Sequence, residues 1–299
     1  MLEVIDPGLL TTVQDAGRYE ALDLGVPVSG ACDPWSLAVA NALVGNEPTA
    51  AAIEMTVLGA TFRVLEDMVV GVAGAAMDGG PPPWESHLLR KGESVSFGAS
   101  DGAARTYVAV PGGVDVPLVL GSRSTCLVGG FGGIAGRPLQ VGDVVRPSSQ
   151  EQRPARSWPA PVPLTSPAVV RVVQGHDRVG VDALVGTDWE VSIRSNRQGT
   201  RLEGPPLTGL SGAMLSRPVT WGTIQLPPDG QPIVLLADGQ TVGGYPVVAV
   251  VISADRPLIG QLAPTDKVRF VEVTVAQAQQ ALRQQAATFE RLRAEMRAV

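Results

Sequence analysis

Short apolar, β-branched runs alternate with glycine, proline and other turn residues along almost the whole chain. Runs of about 4–8 such residues bounded by turn residues are typical of β-strands. The pattern predicts strands at 60–65, 68–72, 94–97, 106–110, 169–174, 190–194, 232–236, 247–252 and 268–273. With 35 glycines and 25 prolines as punctuation, the chain favours short strands over long helices. We therefore predict a mostly β fold.

Two segments carry helical signals instead. Asp33 followed by Pro34 is typical of a helix start, and Gly45 can end that helix in a left-handed conformation. Thr274, with Gln277 three residues later, forms the capping-box pattern of a C-terminal helix. Its apolar stripe could face a partner chain, but most amphipathic helices cover their own core, which we expect here. The stripe consists of Val275, Ala278, Leu282, Ala286, Phe289 and Met296.

A proline-rich stretch divides the chain. Six prolines lie between Arg146 and Val169, interspersed with Ser, Gln and Arg. Proline lacks an amide donor and has a fixed φ, so this stretch should run extended over the surface rather than join a sheet interior. The sequence predicts an N-terminal β domain at 1–148, a linker at 149–167, and a C-terminal β domain at 168–299 that ends in the helix.

Charge and composition narrow the function. The 299 residues carry 23 basic and 29 acidic side chains, a net charge of -6, without the basic stripe that nucleic acid requires. The longest apolar runs, 69–77 and 246–252, are too short to span a bilayer, and no signal peptide is evident. Two cysteines make neither a disulfide framework nor a zinc motif. We expect a cytoplasmic protein that binds no nucleic acid, membrane or metal.

The familiar catalytic motifs are missing from the sequence. It contains no P-loop, no dinucleotide-binding glycine motif and no G-x-S-x-G nucleophile elbow. Its two histidines show no metal-ligand spacing. Neither Lys91 nor Lys267 lies in a Met-Lys-Met context, so biotin would have to arrive on another protein.

Polar side chains cluster instead in five glycine-rich segments, at 8–18, 25–33, 107–125, 192–202 and 237–246. In this order they resemble the carboxyltransferase-like family described as allophanate hydrolase subunit 2, KipA or the C component of bacterial 5-oxoprolinase. Gly243-Gly244-Tyr245-Pro246, after Ala-Asp-x-Gln-Thr, is similar to a signature of that family.

The resemblance extends from Gly8 to about Val273, with four departures. The family usually has Met at Cys32, Pro at His176, a bulkier residue at Gly239, and Asp-Arg-Met-Gly where residues 196–199 read Asn-Arg-Gln-Gly. Asparagine at position 196 removes a carboxylate and argues against base chemistry there.

The resemblance implies two tandem β-barrel-like, cyclophilin-like domains and a partner of the allophanate hydrolase subunit 1 or KipI type. The main expectation is a subunit, inactive or weakly active alone, of an ATP-dependent 5-oxoprolinase with a third component, converting 5-oxo-L-proline to L-glutamate. One alternative is a carboxyltransferase or allophanate hydrolase-type subunit acting on urea-like amides with carboxybiotin. Another is a non-catalytic KipA-type regulator that binds a kinase-inhibitor partner.

The substrates of these reactions contain an amide and an anion. A guanidinium fork can bind the anion, and a carboxamide or carboxylate can accept from the amide N–H. Asp15, Glu54 and Gln240 are the candidate catalytic residues. Glu54 lies in an apolar strand, where a buried carboxylate must be paired or protonated. The candidate substrate-binding residues are Gln14, Arg18, Ser29, Arg123, Ser124, Asn196, Arg197, Arg201, Thr241, Gly243, Gly244 and Tyr245. A turn with a surface ion pair is the structural alternative for Asp15 and Arg18, and bulges or corners are the alternative for the paired glycines.

Overall fold

The computed structural model describes residues 1–151, 154–177, 181–207 and 215–297, without the side chain of Arg297. The chain forms two compact units. The first unit comprises Met1–Glu20, Ser29–Pro163 and Leu292–Val299, and the second comprises Ala21–Val28 and Leu164–Arg291. The first unit thus includes part of the predicted linker, and the second includes a short piece of the predicted N-terminal domain. The boundaries 1–148, 149–167 and 168–299 stay a prediction.

The first unit contains nine described strands, one complete α-helix and the end of the C-terminal helix. The strands and the complete helix are β1 (Leu2–Asp6), β2 (Thr11–Gln14), α1 (Pro34–Leu43), β3 (Ala52–Thr56), β4 (Thr61–Val64), β5 (Met68–Met77), β6 (Glu85–Leu89), β7 (Ser94–Ser96), β8 (Ser100–Ala109) and β9 (Val144–Val145). One sheet has the order β7-β4-β1-β9 and the other β2-β3-β8-β5-β6. Residues such as Val4, Phe62, Ile53 and Val70, from both sheets, share one buried core.

The proline-rich stretch follows the outer edge of the second sheet. The amide of Ser86 in β6 donates to the carbonyl of Arg156, and the amide of Trp158 donates to that of Trp84. The Trp158 ring is buried and meets Trp35 edge-on at 6.3 Å between centroids. Near Arg156 and Trp158 the stretch pairs with an edge strand, where the missing amide donors of proline are tolerated.

The second unit contains a closed barrel. Its described elements are β10 (Ala168–Gln174), α2 (Val181–Val185), β11 (Asp188–Val191), β12 (Gly199–Glu203), β13 (Arg217–Pro218), β14 (Thr223–Gln225), β15 (Ile233–Leu235), β16 (Val242–Gly243), β17 (Val247–Val251), α3 (Arg256–Gln261), β18 (Lys267–Glu272) and α4 (Val275–Arg297). Seven strands close in the order β10-β17-β14-β15-β12-β11-β18, and β13 pairs with β16 separately. The mostly β prediction with a C-terminal helix is confirmed.

Both predicted helix starts are confirmed. The Asp33 carboxylate accepts from the amide of Ser36 at 2.9 Å, and Gly45 has φ of 78° just after α1. At α4, the Gln277 carboxamide accepts from the amide of Thr274 at 2.8 Å, and the Thr274 hydroxyl accepts from the amide of Gln277 at 3.3 Å. Together these bonds form the reciprocal capping box.

The predicted apolar stripe of α4 is partly wrong. Phe289 and Met296 are buried, whereas Val275 and Leu282 are exposed, as is Ala286. Ala281 is the buried residue in the middle of the helix, one position before Leu282. The stripe is rotated because small alanines, not the larger residues, contact the barrel cluster around Ile252 and Ala254. Within the described residues, no helix combines the length and apolar character needed to cross a membrane.

Candidate functional site

A small polar pocket lies on the barrel of the second unit. Its cavity volume is about 140 Å³, and three neighbouring strands, β14, β15 and β12, supply its wall. The polar loop before β12 and the loops after β15 complete it. The lining residues are Asn196, Gln198, Gly199, Arg201, Gln225, Ile233, Leu235, Gln240 and Tyr245. The structure therefore brings four of the sequence-predicted residues together, namely Asn196, Arg201, Gln240 and Tyr245.

Arg201 supplies the pocket's positive charge. It lies in the middle of β12, where alternate residues face outward, and its side chain is exposed. The backbone of Arg201 is held by Ser195, whose Oγ accepts from the Arg201 amide at 3.0 Å. No carboxylate in the described residues forms an ion pair with this guanidinium. Arg201 can therefore offer its fork to an anionic ligand.

Two carboxamides meet inside the pocket. Nε2 of Gln240 donates to Oε1 of Gln225 at 3.1 Å. Gln225 is 2% exposed in β14, whereas Gln240 lies at the exposed edge. Gly243 leaves room for both amides, because a Cβ built on it would lie 2.2 Å from Nε2 of Gln225 and 2.8 Å from Nε2 of Gln240.

Arg197 does not reach the pocket. Its guanidinium is 2% exposed and pairs with Asp238, with Nε 3.0 Å from Oδ2. Arg197 therefore forms an internal ion pair, and its predicted anion contact stays a prediction. Because Arg197 and Asp238 come from the two loops that carry Asn196 and Gln240, the pair positions the pocket's polar edge.

The other predicted residues of the second unit are uncharged, and only two of them, Asn196 and Tyr245, line the pocket. Oδ1 of Asn196 accepts from the amide of Gln198 at 2.8 Å, which shapes the turn before β12. Tyr245 lines the pocket with 44% of its surface exposed. The carbonyl of Thr241 accepts from the amide of Val219 at 2.9 Å. Thr241 and Gly244 do not line the cavity.

Asp15 belongs to the first unit, where it organises a buried turn. Its Oδ1 accepts from the hydroxyls of Ser122 and Ser124 at 2.6 and 2.5 Å and from the amide of Gly17 at 2.7 Å. Oδ2 accepts from the amide of Arg123 at 2.6 Å. A carboxylate with four donors is well satisfied, which supports a structural role for Asp15, while its predicted catalytic role stays a prediction.

The neighbours of Asp15 are similarly engaged. The Arg18 guanidinium is 1% exposed, donates to the carbonyl of Ser124 and stacks 4.9 Å from the centroid of Phe131. These contacts support a structural role for Arg18, and its predicted anion contact stays a prediction. Nε2 of Gln14 donates to Oγ1 of Thr12 at 2.9 Å, and Nε of Arg123 donates to the carbonyl of Val116 at 3.0 Å.

Ser29 is a strained residue in the same unit. It is 1% exposed and has φ of 53°, a conformation uncommon for a residue with a side chain. Gly30 follows it with its Cα against the backbone of Gly17, since an added Cβ would lie 2.8 Å from the Gly17 nitrogen. The predicted substrate contact of Ser29 stays a prediction.

Glu54 forms part of a second buried network in the first unit. It is 1% exposed, and its Oε2 accepts from the hydroxyl of Tyr107 at 2.6 Å and from the amide of Cys32 at 2.9 Å. Arg105 lies nearby, with Nε 3.9 Å from Oε1. Burial, and then the Glu54 charge, raise the pKa of Tyr107 well above its ordinary value. The expectation that a buried Glu54 is paired is confirmed, while its catalytic role stays a prediction.

Sequence reasoning missed Gln225 and Gln198. Gln225 is flanked by Ile224 and Leu226, so it is a polar residue inside an apolar strand. The same signal singled out Glu54 and could have found Gln225. Gln198 carried no comparable signal, because a polar residue in a turn is ordinary. No cluster of three or more potential metal ligands occurs among the residues that the structure describes.

The chain is similar in sequence and in structure to proteins of one family. A family model described as "Carboxyltransferase domain, subdomain A and B" matches residues 24–272. The chain is 35% identical to the C component of 5-oxoprolinase from Escherichia coli, over 98% of this chain and 97% of that protein. It is 32% identical to urea amidolyase of Lachancea kluyveri, over 97% of this chain but only 18% of that protein. The crystal structure of Kluyveromyces lactis urea carboxylase aligns with a TM-score of 0.88 at 30% identity, covering 97% of this chain and 29% of that one.

Proposed function

Because this chain belongs to the carboxyltransferase domain family, subdomains A and B, we propose that it is a subunit of a multi-component, ATP-dependent 5-oxoprolinase that converts 5-oxo-L-proline to L-glutamate. Similarity to the C component of 5-oxoprolinase over nearly the full length of both chains supports this assignment. The observation that carries it is the barrel pocket, whose lining includes Arg201 and the hydrogen-bonded carboxamides of Gln240 and Gln225.

The substrate matches the pocket group by group. 5-Oxo-L-proline has one carboxylate, which suits the guanidinium fork of Arg201, and one lactam, which suits the carboxamide of Gln240. Hydrolysis adds water to the lactam carbonyl and breaks the ring C–N bond, and the nitrogen leaves with a proton. In this proposal, the chain's residues bind and orient the lactam, and Tyr245 flanks it at the pocket edge.

Other components complete the reaction. In this proposal ATP acts at the level of the complex, where its hydrolysis drives ring opening, and not through a P-loop in this chain. The proposed partners are a subunit of the allophanate hydrolase subunit 1 or KipI type and a third 5-oxoprolinase component. On its own, the chain should be inactive or weakly active.

Reconstitution tests the proposal. The chain, co-expressed with the two other components, should release glutamate from 5-oxo-L-proline only when ATP is present. Arg201→Gln should raise KM about 10–100-fold, because a hydrogen bond to a charged group contributes about 1.5–3 kcal/mol. Arg194→Gln is the matched control, since Arg194 lies in the loop before β12, is 67% exposed and does not line the pocket.

The outcomes are separable. A folded, complete complex without ATP-dependent glutamate release would refute the 5-oxoprolinase assignment. If Arg201→Gln and Arg194→Gln changed KM equally, the substrate would not bind in this pocket.

A second candidate rests on the structural likeness to urea carboxylase. The TM-score of 0.88 over 97% of the chain supports a carboxyltransferase that moves a carboxyl group from carboxybiotin to a urea-like amide. Neither Lys91 nor Lys267 has a biotin-attachment context, so a separate carrier would bring the biotin. A bicarbonate requirement and inhibition by avidin would favour this function. Activity independent of both would exclude it.

A further inference from the structure

Gln225 is a costly residue for a barrel strand. Its Nε2 is buried and has no hydrogen-bond acceptor among the described residues. A buried unpaired donor costs about 1–3 kcal/mol, which an apolar residue at this position would avoid. Stability therefore does not explain a glutamine at this position. Because Gln225 lies in the wall of the candidate pocket, a role in the pocket is the alternative explanation.

The bond between Gln225 and Gln240 fixes which way the Gln240 amide faces. Nε2 of Gln240 points inward, 3.1 Å from Oε1 of Gln225 and toward Gly243. The oxygen and nitrogen of a carboxamide diverge from the same carbon, so Oε1 of Gln240 is directed away from Gln225. The pocket lining therefore includes an acceptor at Gln240 and the cation of Arg201.

An acceptor beside a cation recognises an N–H group next to an anion. 5-Oxo-L-proline carries these two groups on the same carbon, whereas its lactone analogue, 5-oxotetrahydrofuran-2-carboxylate, replaces the N–H with a ring oxygen. We infer that Gln225 is a positioning residue that holds Gln240 so that its Oε1 accepts the lactam N–H, which makes the site selective for lactams over lactones. This inference rests on the proposed function.

The test measures discrimination rather than activity alone. The assembled complex, without ATP, is titrated calorimetrically with 5-oxo-L-proline and with the lactone. The wild type should bind the lactam about tenfold more tightly than the lactone. The lactone cannot donate a hydrogen bond to Oε1 of Gln240, and its ring oxygen would face that oxygen as a second acceptor. In Gln225→Met the Gln240 amide can turn over, so the ratio should fall toward one.

Two further readouts exclude a merely structural role for Gln225. Gln225→Met removes the unpaired donor at similar volume, so its thermal midpoint should equal or exceed that of the wild type. Gln225→Glu keeps the acceptor for Nε2 of Gln240 and should restore the preference for the lactam. Arg201→Gln should weaken both compounds equally and leave the ratio unchanged, since both carry the carboxylate.

Each result has one consequence. A Gln225→Met complex that still prefers the lactam as strongly as the wild type would overturn the inference and leave the proposed function standing. A wild type that prefers the lactone would also overturn it, because Gln240 would then present its N–H instead. A folded wild-type complex that binds neither compound would overturn the inference together with the substrate assignment of the pocket.

Discussion

Arg197 and Asp238 form a buried, bidentate ion pair behind the candidate pocket. Nε of Arg197 lies 3.0 Å from Oδ2 of Asp238, and Nη2 lies 3.3 Å from Oδ1. The amide of Asp238 also donates to the carbonyl of Arg197 at 3.0 Å. These bonds join the loop before β12 to the loop after β15, so Asn196 and Gln240 depend on a shared internal support.

Asp238→Asn should destabilise the barrel and weaken substrate binding together. The substitution removes the Asp238 carboxylate from the buried Arg197 guanidinium, and breaking a buried ion pair typically costs about 3–5 kcal/mol. Urea denaturation of the isolated chain should show a lower midpoint, and the reconstituted complex should show a higher KM for 5-oxo-L-proline.

Asp188→Asn is the matched control for this prediction. Asp188 pairs with Arg269 on the same barrel, but their side chains are 37% and 51% exposed. Exposed ion pairs contribute little, so both the midpoint and KM should stay close to the wild type. Equal losses of stability in the two variants would contradict the special role of the Arg197–Asp238 pair.

Gly243→Ala should weaken binding more than it weakens the fold. The new Cβ would overlap Nε2 of Gln225, the end of a flexible side chain, which can shift but would then lose its bond to Gln240. Affinity for 5-oxo-L-proline should fall about tenfold, the equivalent of one hydrogen bond.

The double variant Gly243→Ala with Gln225→Ala separates the two effects. Removing the Gln225 carboxamide should relieve the overlap and recover thermal stability, while affinity stays low. Recovery of affinity in the double variant would show that the two carboxamides do not act as a pair.

Local signals in the sequence predicted the fold well. The proline and glycine punctuation located strands such as 169–174 and 268–273, and side-chain chemistry at Asp33 and Thr274 located two helix starts. The buried face of α4 was predicted less well, because alanines contact the barrel and hydrophobic size was a poor guide.

The candidate site was predicted by residue type rather than by location. Exposed Arg201 and Gln240 line the pocket, whereas Arg18 and Arg197 are interior. An arginine in a polar turn has the same sequence pattern whether it binds a ligand, an aspartate or a carbonyl. Only the fold distinguishes these roles, because the partners Asp238 and Ser124 are distant along the chain from Arg197 and Arg18.

Asp15→Asn should lower the free energy of unfolding by at least about 2 kcal/mol. The NH₂ group of the asparagine would replace a carboxylate oxygen that now accepts from the Ser122 hydroxyl or the Arg123 amide. The bonds that remain would also be weaker, because hydrogen bonds to charged groups are stronger than neutral ones. Urea denaturation measures the change. Asp6→Asn is the control, because Asp6 accepts one bond, from the amide of Gly8, in an exposed turn.

The same variant distinguishes a structural Asp15 from a catalytic one. If Asp15→Asn unfolds at the wild-type midpoint yet abolishes glutamate release in the complex, the structural assignment is wrong and the catalytic prediction regains support. A lower midpoint with activity retained at low temperature would support the structural role of Asp15.

Tyr107→Phe should change how stability depends on alkaline pH. The pKa of Tyr107 is raised by burial and by Glu54, so in the folded chain its phenol stays protonated above the ordinary value of 10.0. The unfolded phenol ionises first, and the free energy of unfolding should therefore fall by up to about 1.4 kcal/mol per pH unit above that value. Below it, this contribution of Tyr107 is fully present.

At neutral pH, Tyr107→Phe should be less stable than the wild type by about 1–3 kcal/mol, because Glu54 and the amide of Asp33 each lose a hydrogen-bond partner. Phenylalanine cannot ionise, so the variant lacks the alkaline loss that Tyr107 causes. Urea midpoints measured from about pH 8 to about pH 11 should converge as pH rises. Parallel curves would mean that the Tyr107 phenol ionises equally in the folded and unfolded chains, and the buried bond to Glu54 would then have no influence on its proton.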